Sequence, residues 1–310
     1  MKKQQIKRTR MKITLGEKLF IATIYVLLAL VLVITLYPLI YVVSASFSDP
    51  TAVASGKMVL WPINPSTDGY KAIFKYKEIW TGYANTIFYT VVGTLINLAA
   101  TLPCAYALSR KDLAGKGFFL AYFMFTMYFN GGLIPSYLNF NDYGMINTRW
   151  VLLVGGIVSV YNMVVARTFF ANTIPWELQE AAYLDGCSHF KVFTKIVLPL
   201  SAPIIVVLTL YYGIGHWNQY FAAMIYLRDR ELFPLQVFLK EILTQSQLSA
   251  DAMLEGGFTI QEIREYQTIA ESMDRMKYGI IVVSSLPMMI VYPFLQKYFA
   301  KGTMIGSVKG

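Results

Sequence analysis

Two short stretches hold the residues that could act on something outside the chain. EAAYLDGCSHFKVFTKIVLP, at 180–199, mixes acids, bases and small side chains. YYGIGHWNQYF, at 211–221, gathers tyrosine, histidine, tryptophan, asparagine and glutamine. Neither has the makings of a catalytic centre. Bond-breaking chemistry needs a nucleophile beside a base, a pair of carboxylates or metal ligands at set spacing. The chain has no HExxH pattern and no GxxxxGK[ST] phosphate loop, and the AGKG at 114–117 is too short for one. Cys104 lies in an apolar run and Cys187 in the first polar stretch, so neither a disulfide nor a metal site is expected. What remains is recognition: an acid with small side chains for close docking, and ring faces with hydrogen-bonding amides.

The elements that position these stretches follow from composition. Of 310 residues, 56% are hydrophobic and only 15% charged. A soluble domain carries about 25% charged residues, so the excess of apolar residues points to lipid as the solvent. A membrane helix needs about 20 mostly apolar residues. Six spans are read, at about 19–43, 85–108, 117–138, 150–170, 198–227 and 279–299. The fold class is therefore all-α and polytopic, with 1–310 as a single transmembrane domain. The net charge of +9 comes from positives that flank the apolar runs, which explains them by topology and not by nucleic acid. The basic N-terminal tail, Arg110, Lys111 and Lys116, then Arg167, Lys191 and Lys195, and last Lys297, Lys301 and Lys309 all fall on one side of six spans. That side is the cytoplasmic one, with both termini inside. The first apolar run is too long for a cleaved signal and reads as a retained span. The segment 44–84 reads as irregular, and TIQE at 259–262 has capping-box spacing before a polar helix.

The interiors of the spans hold essentially no Asp, Glu, Lys or Arg, with His216 as the one ionisable exception. Ion-coupled carriers and pumps place charges there. A chain without them and without a phosphate loop must draw energy for uphill transport from another polypeptide. The stretch at 175–195 suits that role. Pro175 fits the first turn of a helix, with Asn172 or Thr173 as cap. Glu177 and Glu180 sit where the helix dipole favours acids, and Gly186 permits a turn into a second short helix at about 188–195. The knob either docks into a partner or lies on lipid. The stripe of Leu178, Ala182 and Tyr183 is weak for lipid burial.

Glu180-Ala181-Ala182, then Gly186, Ile196 and Leu198-Pro199 match the EAA motif of ABC importer permeases at each fixed position. NGGLIPSY (130–137), GHWNQYF (215–221) and KGTMIGSVKG (301–310) are similar to the branch that handles oligosaccharides and complex glycan fragments. The chain thus resembles a carbohydrate importer permease over nearly its whole length. The resemblance implies the type I importer fold, alternating access and no chemistry on the cargo. It implies that Glu180 makes polar contacts in a cleft of an ATPase, that Ala181 and Ala182 permit close packing, and that Gly186 turns the chain. It also implies a second six-span permease, a heterodimer being favoured, a pair of ATPases that hold ATP and Mg, and an extracellular sugar-binding protein. The setting would be the cytoplasmic membrane of a prokaryote. Cargo such as an amino acid or peptide is the alternative; a membrane enzyme or scaffold is a more distant one.

Sugars present hydroxyls and apolar ring faces, so aromatic rings with amide or imidazole partners suit them. Trp217, Asn218, His216 and Tyr220 form one such cluster, Tyr128, Asn130 and Tyr137 a second, and Tyr161 with Asn162 a third. Tyrosine and tryptophan also concentrate at membrane interfaces, and His216 could serve only to hydrogen-bond a neighbouring helix.

Overall fold

The computed structural model describes residues 14–244 and 260–307. Every regular element among the described residues is helical. They fall into two compact units, Met1–Thr67 and Asp68–Gly310.

In the first unit, α1 (Leu15–Ser46) opens on a reciprocal cap: the Glu17 amide donates to the Thr14 hydroxyl at 3.3 Å, and the Thr14 amide to the Glu17 carboxylate at 2.7 Å. The most apolar stretch of α1 is wholly unburied, so its side chains require lipid. Asp49 caps the short α2 (Pro50–Ala54).

The second unit is built around α4 (Lys77–Ser109), which follows α3 (Asp68–Lys75). The segment read as irregular at 44–84 thus holds α2, α3 and the first turns of α4. On α4, Asn85, Tyr89, Gly93, Asn97 and Thr101 recur every four residues, and all are buried. Four-residue spacing aligns them on one face, so α4 turns a polar stripe inward.

Three of the expected spans are broken. That at 117–138 is α5 (Lys116–Tyr128) and α6 (Leu133–Asp142), bent by 112°. Gly132 stands at φ +86°, and its amide donates to Asn130 Oδ1 at 3.0 Å. That at 150–170 is α7 (Arg149–Val154) and α8 (Val160–Thr173), parted at Gly155 and Gly156. After α8 come α9 (Trp176–Leu184), α10 (His189–Val192), a π turn (Phe193–Val197) and α11 (Leu198–Leu200). The span at 198–227 is α11, α12 (Ala202–Trp217) and α13 (Phe221–Tyr226), with an 82° bend between the His189–Leu200 segment and α12. A 3-10 turn (Arg230–Leu232) and α14, at 235–244, precede α15 (Ile260–Ser307), which contains 279–299. Thr259 of the capping box lies outside the described residues. By length and composition three helices among the described residues can cross a membrane, or five if each bent pair is one crossing.

The α7–α8 break survives because α4 meets the freed backbone. Asn97 Nδ2 donates to the carbonyls of Gly156 at 3.3 Å and Ile157 at 2.8 Å. At the turn after α13, Asn85 Nδ2 donates to Glu231 O at 2.6 Å and Phe233 O at 3.1 Å, Tyr89 donates to Leu232 O at 2.8 Å, and Thr86 Oγ1 accepts from the Leu235 amide at 2.8 Å. Non-helical backbone at membrane depth is tolerated where protein pairs it in this way.

Close approach fixes α4 against α14. A Cβ on Gly82 would sit 3.0 Å from Leu235 Cα and 2.9 Å from the Phe238 ring. Backbone cannot yield as a flexible side chain does, so Gly82→Ala is expected to cost about 1–3 kcal/mol. A lowered thermal midpoint of the purified protein, with Gly16→Ala unchanged as control, is the measurement.

Candidate functional site

The 175–195 knob forms as a helix pair with different caps from those expected. Helix α8 runs through Asn172 and Thr173, so neither caps α9; Pro175 is itself the extended residue before Trp176. Gln179 and Ala182 face inward, whereas Glu180, Ala181 and Leu184 face out, Leu184 at 90% exposure. Glu180 Oε1 accepts from Trp176 Nε1 at 2.6 Å. Gly186 ends α9 at φ +77°, in the left-handed region where glycine has no Cβ to clash. Ser188 then caps α10, its Oγ accepting from the Lys191 amide at 3.4 Å. The second helix, expected at 188–195, is one α turn continued by the π turn. Ile196 and Leu198 pack on the main apolar cluster, and Pro199 is exposed.

What fastens the knob is Arg110, just past α4. Its guanidinium lies 5.3 Å from the Tyr183 ring, 5.6 Å from Trp176 and 5.9 Å from Tyr106. It donates to both tyrosine hydroxyls and pairs with Asp112. That pairing holds the Asp112 carboxyl below the usual carboxylate range and the guanidinium firmly charged. Tyr106 donates to Gln179 Oε1 at 2.9 Å, and its ring stacks on Phe193 at 5.1 Å. Cations also cap the end of α4: Arg167 Nε donates to Leu108 O at 3.1 Å and Lys116 Nζ to Arg110 O at 3.0 Å. The charges at 110, 116 and 167, read above as topology signals, thus also serve as fasteners.

A cleft of about 410 Å³ opens at the α7–α8 break, with Asn97, Asn162, Tyr211, His216 and Gln219 among its walls. His216 Nε2 donates to Asn97 Oδ1 at 2.7 Å, and its Nδ1 lies 3.2 Å from Gln219 Oε1. The Asn97 orientation is dictated, since a flip would set its oxygen against two carbonyls. Tyr212 bridges Thr101 at 2.7 Å and the Ser159 amide at 3.1 Å. A second opening of about 320 Å³ is lined by Tyr161, Asn162, Tyr211 and Ile214.

Residues 79–305 match the family model described as the binding-protein-dependent transport system inner membrane component. The chain belongs to this family. It is 38% identical, over 95% of its length and 99% of the relative's, to the polygalacturonan/rhamnogalacturonan transport system permease protein of Bacillus subtilis (strain 168). It is 26% identical, over 91% and 94%, to the arabinooligosaccharides transport system permease protein of Halalkalibacterium halodurans. Among solved structures, a chain of a bacterial ABC transporter involved in import of the acidic polysaccharide alginate superposes at TM-score 0.80, with 36% identity over 92% of this chain and 98% of that one. The all-α membrane fold and the importer resemblance are thereby established.

The permease does not bring all its sequence-chosen aromatics together. His216 and Asn162 line the 410 Å³ cleft, and Tyr161 joins Asn162 in the smaller opening. Trp217 is buried and donates to Ser284 O at 3.1 Å, a tie between α12 and α15, and with Asn218 it lines a different opening of about 280 Å³. Asn218 Nδ2 donates to Ile214 O, closing the end of α12. Tyr137 stacks on Tyr226 and accepts from Arg228, while Asn130 serves the α5–α6 bend. Tyr128 and Tyr220 are exposed and line none of these three openings. Sequence reasoning passed over Arg110 and Asn97. Trp176 and Tyr183, seven residues apart and so on one helical face, were the available sign that a cation stacks there.

Arg110→Ala is expected to raise amide hydrogen exchange across α9 about tenfold while the middle of α4 keeps its protection. Arg110→Lys should fall between, because a point charge cannot fork to two hydroxyls and stack as a plane.

Proposed function

We propose that this permease is one of two membrane subunits of an ATP-driven importer that carries an oligosaccharide into the cell by alternating access. The observation that carries the reading is the knob: α9 turns Glu180, Ala181 and Leu184 outward while its other face is fastened to α4 through Arg110. An outward face of that kind suits the groove of a partner. The partner is a pair of ATPase subunits, which hold ATP and Mg; this chain performs no chemistry on its cargo. The other half of the pathway is a second permease, a different chain being favoured, and an extracellular sugar-binding protein delivers the cargo. The knob and both termini face the cytoplasm, following the basic segments.

Glu180 meets polar groups of the ATPase, Ala181 allows close approach, and Ala182 seats α9 on its own subunit. Gly186 makes the turn, and Ile196, Leu198 and Pro199 lead the knob into α12. ATPase closure pushes α9, and Arg110 and Tyr106 pass the displacement to α4. The cargo reading is supported by relatives that bear the names of polysaccharide and oligosaccharide systems. It is supported also by the cleft walls, which offer polar groups and rings and no carboxylate to hold an amino acid's ammonium group.

Glu180→Ala is expected to lower oligosaccharide uptake about tenfold or more, in line with the loss of one charged hydrogen-bonding group at an interface, and to reduce the ATPase recovered with the purified membrane subunits. Uptake equal to that of the unsubstituted transporter, or energised uptake by membrane subunits alone, overturns the reading.

A further inference from the structure

We propose that the contact between α4 and α12 at Thr90, Thr94 and Gly213 is a two-position notch of the transport cycle. The two threonine hydroxyls stand unpaired in this conformation and close onto the α12 backbone at Gly213 in the opposite access state. The proposal rests on the transport function given above and adds which contact of this chain holds the second state.

Two buried hydroxyls carry the argument. The Oγ1 atoms of Thr90 and Thr94 are shut off from solvent and have no hydrogen-bond partner among the described residues. Thr94 is only 6% exposed. Four residues apart, the two lie on one face of α4. A helical threonine has an easy partner in the carbonyl one turn back. Thr23, Thr35, Thr168 and Thr209 take it, at 3.0, 2.9, 2.8 and 2.7 Å. Thr90 and Thr94 do not. The polar side chains around them on α4, namely Asn85, Thr86, Tyr89, Asn97 and Thr101, are all bonded. A buried hydroxyl left unpaired costs free energy that a paired one recovers. Such a group therefore marks a strain reservoir, relieved where a partner comes within reach.

What faces them is Gly213 of α12. A Cβ there would lie 3.9 Å from Thr90 Cγ2 and 3.9 Å from Thr94 Oγ1. That is ordinary contact distance, so the seam has room for a methyl group that glycine does not supply. Glycine leaves the helix backbone bare to a neighbour, and a carbonyl bonded within its helix keeps a second lone pair. Helix shifts in switching proteins are about 1–2 Å. A closure of that size brings a hydroxyl from contact distance into bonding range. The seam closes as a notch and not as a slide. His216 stays on Asn97 at 2.7 Å and Tyr212 on Thr101 at 2.7 Å, their long side chains following by rotation. The two helices thus remain one body in both positions. Packed contacts of this kind hold discrete arrangements and do not deform continuously.

The test uses the assembled importer and a panel of labelled oligogalacturonides, galacto-oligosaccharides and arabino-oligosaccharides. Valine has the shape of threonine without its hydroxyl. The double variant Thr90→Val/Thr94→Val is expected to keep or raise the thermal midpoint, because it removes two unpaired groups from this conformation. It is expected to lower the maximal uptake rate about tenfold at unchanged KM, the scale of one or two hydrogen bonds lost from the opposite state. Thr90→Ser/Thr94→Ser keeps both hydroxyls and should keep the rate. An unchanged rate in the double valine variant, or an equal loss in the double serine variant, overturns the notch. A lowered midpoint in the valine variant overturns it too, since the hydroxyls are then already satisfied in this conformation. Should the unsubstituted importer move none of the panel, the transport reading itself falls and the notch with it.

Discussion

In a body surrounded by lipid, a backbone group that leaves its helix must find another polar partner, and here α4 supplies them. A lost pairing costs on the order of 1–3 kcal/mol in a protein interior. The stripe at 85, 89, 97 and 101, with Thr86 beside it, meets the freed groups at the 230–235 turn and, with Tyr212, at the 155–159 break. Tyr106, further along the same helix, holds Gln179 of the knob. One helix therefore ties together the turn after α13, the cleft and the knob. The Asn97 bonds explain how an apolar chain can interrupt itself without exposing an unpaired amide to hydrocarbon.

This arrangement has a mechanical consequence. A helix paired along its length to loops cannot move independently of them, since each displacement would break several buried hydrogen bonds at once. A push on α9 arrives at α4 through Arg110 and Tyr106, and α4 in turn carries the Asn97 that shapes the cleft. The close contact of Gly93 with the His216 ring, where a Cβ would fall 2.5 Å from ring atoms, keeps α12 in the same body. Packed interiors transmit displacement rather than absorb it. The exposed face of α9 and the cleft walls are thus two ends of one stiff object.

Some of this was legible in the sequence and some was not. The long apolar runs of α1 and α4 and the turn at Gly186 followed from hydropathy and from glycine's tolerance of positive φ. The breaks at 129–132, 155–159 and 218–220 were not, because a hydropathy window averages over a short interruption whose polar groups are paired by a distant helix. Asn85 and Asn97 read as ordinary members of a span, since their partners lie 59 to 148 residues away. Arg110 was counted for its charge and not for its shape. Trp217, read as a ring for cargo, is also tied to α15, because its N–H meets a backbone carbonyl.

The knob shows why a motif position and its physical support need not be neighbours. Glu180 is exposed, yet its carboxylate is aimed, because Trp176 donates to it one turn earlier. That indole is in turn placed by the Arg110 guanidinium 5.6 Å away, which is itself fixed by Asp112, Tyr106 and Tyr183. An exposed acid on a free helix end samples many rotamers and loses that freedom on docking, at a cost of up to about 2 kcal/mol for a side chain such as glutamate. Here part of that ordering is already present in the unbound subunit. The geometry of the Glu180 carboxylate therefore depends on a residue 70 positions earlier in the chain, just past the end of α4, which no pattern confined to 180–199 contains.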